Sequence, residues 1–414
     1  MSGLYIAPIV GARHTSPSSA SVSTSPGHRR GAPQNEVKSS DAIIMTNDNF
    51  TRRTFVKTSI AASSAALLTA QSPNDTVRVA FIGVGNRGSG LLKQMLDVPG
   101  IRVVAICDID PGNLKKAVDA AAAAGHTPDT YTEFRKMLDR KDIDAVVIAT
   151  PVDLHKEMAV AALEVGKHVY CEKPMALNPE QCRMVANAAK SAKGIFQAGF
   201  QLRHDPNRAA SMKLIHAGGI GKVLFLQGYR HTGDLNHNIP WYFDRARSGD
   251  NIVEQACHII DLMVWAAGSH PLRAYGTGGI NLYKDDPPGR TTMDNYAVIY
   301  DFPNDVRFTF SHIYFDPPNF SGIKERVFGS QASIDLATAT LIERSKEAQP
   351  KTIEVPDAGK DSTYLSLAAF IDNARGKKTP LNNAESARIS TLTAMMGRKS
   401  IYEKRVIDWS EVDV

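Results

Sequence analysis

Between positions 77 and 200, short apolar runs alternate with segments whose apolar residues return every three to four positions. The runs Val77–Ile82, Ile101–Cys107, Ala145–Ala149, His168–Cys171 and Ile195–Gly199 are short, strongly apolar and bounded by turn formers, which predicts buried strands. The intervening periodicity predicts helices from near Asn86 and over Pro111–Ala124, Thr132–Asp139, Leu154–Val165 and Pro179–Ala192, with Gly166 placed as a helix C-terminus. Strands alternating with helices build βαβ units and hence a doubly wound parallel sheet, here ending near Phe200. Beyond Gly221 the pattern changes to longer alternating runs, Lys222–Tyr229, Asn295–Phe302 and Arg307–Ile313, which suit half-exposed antiparallel strands. Helices are expected over Ile252–Ala267, Leu365–Arg375 and Ala384–Glu403. The fold class is therefore α/β, a doubly wound domain over residues 76–200 followed by an α+β domain over 201–414.

The N-terminal region has a different character. Residues 1–44 are dominated by Ser, Gly, Pro, Ala and Arg without apolar periodicity and read as a disordered extension. Residues 45–71 contain Thr51-Arg-Arg-Thr-Phe-Val-Lys57 followed by the weakly apolar Thr58–Ala70, which resembles a twin-arginine export signal; an amphipathic basic helix is the plainer alternative. The signal implies export of an already folded chain by the twin-arginine machinery to the periplasm or beyond, with cleavage near Ala70 and Met45 as an alternative start. At 414 residues and 43% hydrophobic content, the remainder can bury two domain cores. Much of the formal charge of +5 lies in the leader, so no nucleic-acid-binding face is expected. The four cysteines show no metal-ligand spacing and are expected to be free thiols, and no metal site is expected.

The candidate chemistry begins where the first strand ends. Gly83, Gly85 and Gly88 follow it in the order GxGxxG: a tight turn, a close approach to a pyrophosphate, and close packing of the helix that starts near Asn86. The second strand delivers Asp108, whose carboxylate suits ribose hydroxyls and favours NAD; Arg87 in the same loop leaves NADP open. Lys173 directly follows a strand, at the sheet edge where such folds bind ligands. It is placed either to polarise a substrate oxygen or, with a lowered pKa, to move a proton, and a solvated surface lysine is the plain alternative. Glu254 and His258 stand four apart on an expected helix, so the carboxylate can orient the imidazole or raise its pKa, making His258 a candidate acid/base. The same spacing fits a metal pair, but no third ligand presents itself. Arg203, Trp241 and Tyr242, and more weakly His204, His231, Asn236 and His237, offer donors beside aromatic faces and are candidates for a carbohydrate pocket.

Taken together, Gly83-Val-Gly-Asn-Arg-Gly88, Asp108, Ala149-Thr-Pro151 with His155, Glu172-Lys-Pro174, Gly199-Phe-Gln-Leu-Arg203 and the helix holding His258 and Asp261 resemble the glucose-fructose oxidoreductase and inositol dehydrogenase (Gfo/Idh/MocA) family from Val77 onward. The resemblance implies a Rossmann domain and a second domain whose open, mainly antiparallel sheet forms homo-oligomer contacts. It also implies that Thr150, Pro151 and His155 line the nicotinamide side, that Glu172 meets the nicotinamide ribose, that Gln201 belongs to the cofactor site, and that Lys173 and His258 flank the reacting carbon. One departure is that many sugar and polyol dehydrogenases of the family carry Asp where this chain has Glu254, followed here by Gln255. The expected function is an exported NAD(P)-dependent oxidoreductase moving a hydride between nicotinamide and a secondary hydroxyl of a sugar, polyol or glycoside. Two alternatives are a redox-neutral NAD-dependent glycosidase working by transient ring oxidation and elimination, and a non-catalytic NAD-binding sensor or assembly protein.

Overall fold

The computed structural model describes residues 76–414 except 321 and 377, so the N-terminal extension and the export-signal segment lie outside the described residues. The first sheet is built from β1 (Val77–Ile82), β2 (Ile101–Cys107), β3 (Asp129–Tyr131), β4 (Ala145–Ile148), β5 (His168–Cys171) and β6 (Phe196–Ala198) in the order β3-β2-β1-β4-β5-β6. Every pairing in it is parallel. Its central strands are buried on both faces, which is why they read as continuous apolar runs rather than as alternation. The crossovers are α1 (Asn86–Leu96), α2 (Pro111–Ala123), α3 (Phe134–Leu138), α4 (His155–Glu164) and α5 (Pro179–Ser191). Local chemistry starts two of them. The Asp110 carboxylate accepts from the Asn113 amide at 2.7 Å ahead of α2, and the Asn178 side chain accepts from the Gln181 amide at 2.9 Å ahead of α5, each with proline at the first helical position. Strand order reverses between β1 and β4, which opens a crevice at the carboxyl ends of these strands.

The second domain contains α6 (Pro206–His216), β7 (Val223–His231), α7 (Arg245–Ser248), α8 (Asn251–Glu254), α9 (Cys257–Ala267), β8 (Arg273–Gly279), β9 (Asn295–Asp301), β10 (Arg307–Ile313), β11 (Gly322–Gly329), β12 (Ala332–Asp335), β13 (Thr340–Glu343) and β14 (Lys351–Thr352). After them come α10 (Ser362–Gly376), α11 (Ala384–Glu403) and β15 (Ile407–Asp408). Nine strands form one sheet, β14-β13-β12-β11-β7-β10-β9-β8-β15, antiparallel except where β10 meets β7. Alternation sorts its faces. In β9, Tyr296, Val298 and Tyr300 are buried under α11, whereas Ala297 and Ile299 lie on the open face with Tyr275 of β8.

Two features depart from the sequence reading. The expected single helix over Ile252–Ala267 is broken into α8 and α9. The cause is competition for a carbonyl: Lys173 Nζ donates to the Glu254 main-chain oxygen at 2.7 Å, the oxygen that a continuous helix would offer to the His258 amide. The chain adjusts with an Ala256 amide bond back to the Asn251 carbonyl (3.1 Å), and α9 restarts from the Ala256 carbonyl. In addition α10, which the sequence reading grouped with the second domain, packs on the first sheet. Leu367, Phe370 and Ile371 join its core, Phe370 meets Tyr170 edge-on at 5.7 Å, and Arg375 donates to the Pro99 and Gly100 carbonyls at 2.7 Å each.

Candidate active site

The crevice continues into a cleft of about 1080 Å³ shared by the two domains. The first domain contributes the 83–87 turn, Asp108, Thr150, Pro151, Glu172 and Lys173, and the second contributes Gln201 at its start, Trp241, Tyr242, Glu254 and His258.

The turn has the shape a dinucleotide requires. Gly83 has φ +83°, and a Cβ there would lie 2.7 Å from the Ala149 carbonyl oxygen; at Gly88 a Cβ would lie 2.1 Å from the Gly83 carbonyl oxygen. At Gly85, by contrast, a Cβ would meet only Asn113 Nδ2 at 3.6 Å, so that side of the loop is open at the N-terminus of α1. Asp108 is fixed by the Val84 amide (2.7 Å) and the Asp110 amide (2.8 Å), and its oxygens keep lone pairs for ribose hydroxyls. These residues fit NAD. Arg87 does not turn toward the ribose end, as the sequence left open. Its Nε donates to Glu172 Oε1 at 2.7 Å, fixing a carboxylate that is 4% exposed and also accepts from the Lys173 amide at 3.1 Å.

Lys173 and His258 are set in opposite protonation states. Burial alone would push Lys173 down, but the Glu254 carboxylate, 2.5 Å from Nζ, outweighs it and raises the ammonium above its ordinary value. Proton transfer through a lowered lysine pKa is therefore not what this geometry offers. His258 moves the other way, driven well below 6.5 by burial and then by the fields of Lys173, Arg230, Arg87 and Arg208. This corrects the expectation that Glu254 raises the imidazole pKa. The carboxylate is committed to Lys173 and to the Gln255 side chain, and His258 Nδ1 has no hydrogen-bond partner.

Other candidates fall outside the cleft. Arg203 is buried in a bidentate pair with Asp261, with contacts of 2.7 to 3.1 Å, so it is a structural cation and not a sugar donor. His155 is 1% exposed, its ring set between the carbonyl oxygens of Pro174 (2.8 Å) and Thr150 (3.0 Å). It positions the two loops that reach the cleft instead of lining it. His231 stacks on Tyr229 at 4.6 Å on the open sheet face, and the exposed His237 pairs with Asp234 at 3.0 Å. His204 and Asn236 do not line the cleft either. Residues that the sequence reading missed include Asn113, Asn238 and Arg247, which do line it. Asn113, in the first turn of α2 behind the Asp110 cap, had a readable local signal. Arg247 did not; its role rests on a 3.2 Å contact to Asp153 of the other domain.

Comparison with known proteins agrees with this geometry. Residues 77–200 match the model of the oxidoreductase family with an NAD-binding Rossmann fold, and residues 209–335 match the GFO/IDH/MocA C-terminal domain. The chain is 28% identical over 337 residues to inositol 2-dehydrogenase/D-chiro-inositol 3-dehydrogenase of Lactiplantibacillus plantarum, covering 79% of this chain and 91% of that one. It is 35% identical over 163 residues to glycosyl hydrolase family 109 protein 2 of Bacteroides fragilis, 38% of each chain. Its fold resembles a levoglucosan dehydrogenase solved with NADH, with a TM-score of 0.71 at 20% identity over 80% of this chain and 99% of that one. The glycine turn, the ribose carboxylate and the matches over both domains thus identify the chain as a member of the GFO/IDH/MocA oxidoreductase family with an NAD-binding Rossmann domain.

Proposed function

We propose that His258 is the base and Lys173 the fixed cation in the oxidation of a secondary hydroxyl of a sugar, polyol or glycoside. The observation that carries this is the opposite tuning of two adjacent groups, an ammonium held charged by Glu254 and an imidazole held neutral by burial and neighbouring cations. Neutral His258 accepts the hydroxyl proton, while the Lys173 ammonium donates to the substrate oxygen and stabilises charge developing there. NAD, held by Gly83, Gly85, Asp108 and Glu172, supplies the hydride acceptor when bound. Trp241 and Tyr242, with ring centroids 4.4 Å apart on the cleft wall, offer aromatic surface to a sugar ring.

The test incubates the full chain and NAD with a panel of sugars, polyols and glycosides and reads NADH absorbance. A Lys173→Ala protein that binds NAD but produces no NADH supports the assignment, and retained turnover refutes it. A second reading, glycoside cleavage without net NADH, is favoured by the 35% identity over 163 residues to a glycosyl hydrolase family 109 protein; in such a cycle NADH is reoxidised on the same molecule and the cofactor need not exchange. Its signature is a freed sugar without NADH accumulation. Export through the segment at 45–71 and homo-oligomerisation through the sheet face bearing Tyr275 and Ile299 belong to the same proposal. Cell fractionation tests the first, and light scattering with a charged substitution at Ile299 tests the second.

A further inference from the structure

Across residues 251–264 every position is buried except Gln255 and His258, and both of these line the cleft. The backbone keeps helical dihedrals through the break between α8 and α9, with φ, ψ of −98°, −49° at Gln255 and −70°, −21° at Ala256. Gln255 and His258 are therefore an i, i+3 pair on one helical face, with about 5–6 Å between their Cβ atoms. Glu254 is placed differently. It is 4% exposed and each of its side-chain oxygens has a partner, Lys173 Nζ on Oε1 and the Gln255 amide on Oε2.

That pairing fixes which way round the Gln255 amide stands. A carboxylate held by an ammonium accepts hydrogen bonds and has none to give, so the Gln255 atom turned toward Glu254 is the Nε2 donor. Oε1, on the other side of the planar amide, is turned away from Glu254 and has no hydrogen-bond partner among the described residues. Gln255 thus brings an acceptor to the cleft beside the His258 imidazole. Lys173 brings a donor, because Nζ gives two of its three N–H groups to Glu254 and keeps the third. A substrate hydroxyl has a single proton, and in the reacting group that proton goes to His258 while the oxygen meets Lys173. The Gln255 oxygen needs a donor from a different group.

Resting on the hydroxyl-oxidation reading above, we propose that Gln255 is a specificity residue whose Oε1 accepts a hydrogen bond from a second substrate hydroxyl, on a carbon next to the one oxidised. The substrate class is then a sugar, polyol or glycoside that presents a vicinal diol to the cleft. The i, i+3 spacing sets the adjacency, because side chains that stand side by side on one helical turn meet neighbouring substituents of a ring. A substrate with hydrogen in place of that second hydroxyl leaves a desolvated acceptor unpaired, which is how a polar site rejects an analogue lacking one group. No bond is made or broken at Gln255.

The experiment incubates the full chain and NAD with D-glucose, myo-inositol and methyl β-D-galactoside, keeps the parent that yields most NADH, and locates the new ketone by NMR. kcat/KM is then measured for that parent and for its monodeoxy analogues at the two carbons flanking the ketone. In the wild type one flanking analogue is expected to fall by roughly ten- to hundredfold, the cost of an unpaired acceptor. Gln255→Met is expected to bring the parent down to the level of that analogue and to leave the analogue itself little changed, with unchanged NAD affinity showing that the variant folds. An equal loss for the parent and both analogues in Gln255→Met would mean that the residue acts only by steadying Glu254, and overturns the proposal. So does a wild type that oxidises the parent and both flanking analogues equally well, a result that needs no variant and leaves the hydroxyl-oxidation reading in place. No NADH from any of the three parents counts against that reading and removes this inference with it.

Discussion

Glu254→Gln keeps the size of the side chain and a hydrogen-bond acceptor near Lys173 but removes the charge. In the native site the largest single influence on Lys173 is burial, which lowers its pKa, and the largest opposing one is the Glu254 carboxylate at 2.5 Å. Both side chains are almost enclosed, 11% and 5% exposed, so solvent screens the pair weakly. Removing one partner of such a buried pair costs about 3–5 kcal/mol. At ~1.4 kcal/mol per pKa unit this amounts to roughly two to four units, enough to bring the ammonium from above its ordinary 10.5 to below it. The wild-type kcat/KM, measured at saturating NAD, is therefore expected to show no alkaline limb up to about pH 10.5. Glu254→Gln is expected to gain one, falling about tenfold per pH unit above the new lysine pKa. The main-chain bond from Lys173 to the Glu254 carbonyl survives, but the same loss of the buried partner lowers stability, so the thermal melt should fall by several degrees. A Glu254→Gln enzyme with an unchanged kcat and a flat alkaline profile would refute the pairing as the source of the lysine's charge.

Three further outcomes are expected. His155, His258 and His312 are all pushed below 6.5 chiefly by burial, so the folded chain binds fewer protons than the unfolded one as the pH drops through 6.5. Stability from these groups is complete above that value and lost below it, and the acid limb of kcat/KM likewise lies below 6.5. Melting temperature and kcat/KM followed from about pH 7.5 to about pH 5 check both, and a limb at or above neutrality contradicts the neutral imidazole. Arg203→Ala should cost about 3–5 kcal/mol in urea unfolding, because it strands an Asp261 carboxylate that is 1% exposed and keeps only the Ser390 hydroxyl; a small loss with a raised substrate KM would make Arg203 a ligand group after all. Gly85→Ala should melt like wild type yet lose at least about tenfold in NAD affinity, whereas Gly88→Ala should lose stability as well, since its Cβ would meet the Gly83 carbonyl at 2.1 Å. Equal melting of the two variants would count against that separation.

What the sequence alone determined is whatever depends on neighbours along the chain. The strand, glycine turn, helix and acid from Val77 to Asp108 are a local device, and the apolar runs marked the parallel strands because burial on both faces leaves no polar position. Ala384–Glu403 was legible to the residue for the same reason, since the Asn383 cap on the Ser386 amide (3.0 Å) fixes its start. β3, at the sheet edge with no buried residue, carries no apolar pattern to be seen, and α10 gave no sign in its own periodicity of which sheet it would cover. Only the tertiary structure decided how the charges pair. Arg87 finds Glu172 across 85 residues, Arg203 finds Asp261 across 58, and Lys173 finds Glu254 across 81, there taking the carbonyl that a continuous helix would have used. Periodicity fixes which face a side chain occupies, but desolvated charges pair with whatever the fold brings within a few ångströms. For that reason only the family resemblance brought Lys173 and His258 together in the sequence reading, and their opposite protonation emerged once the two domains were packed together.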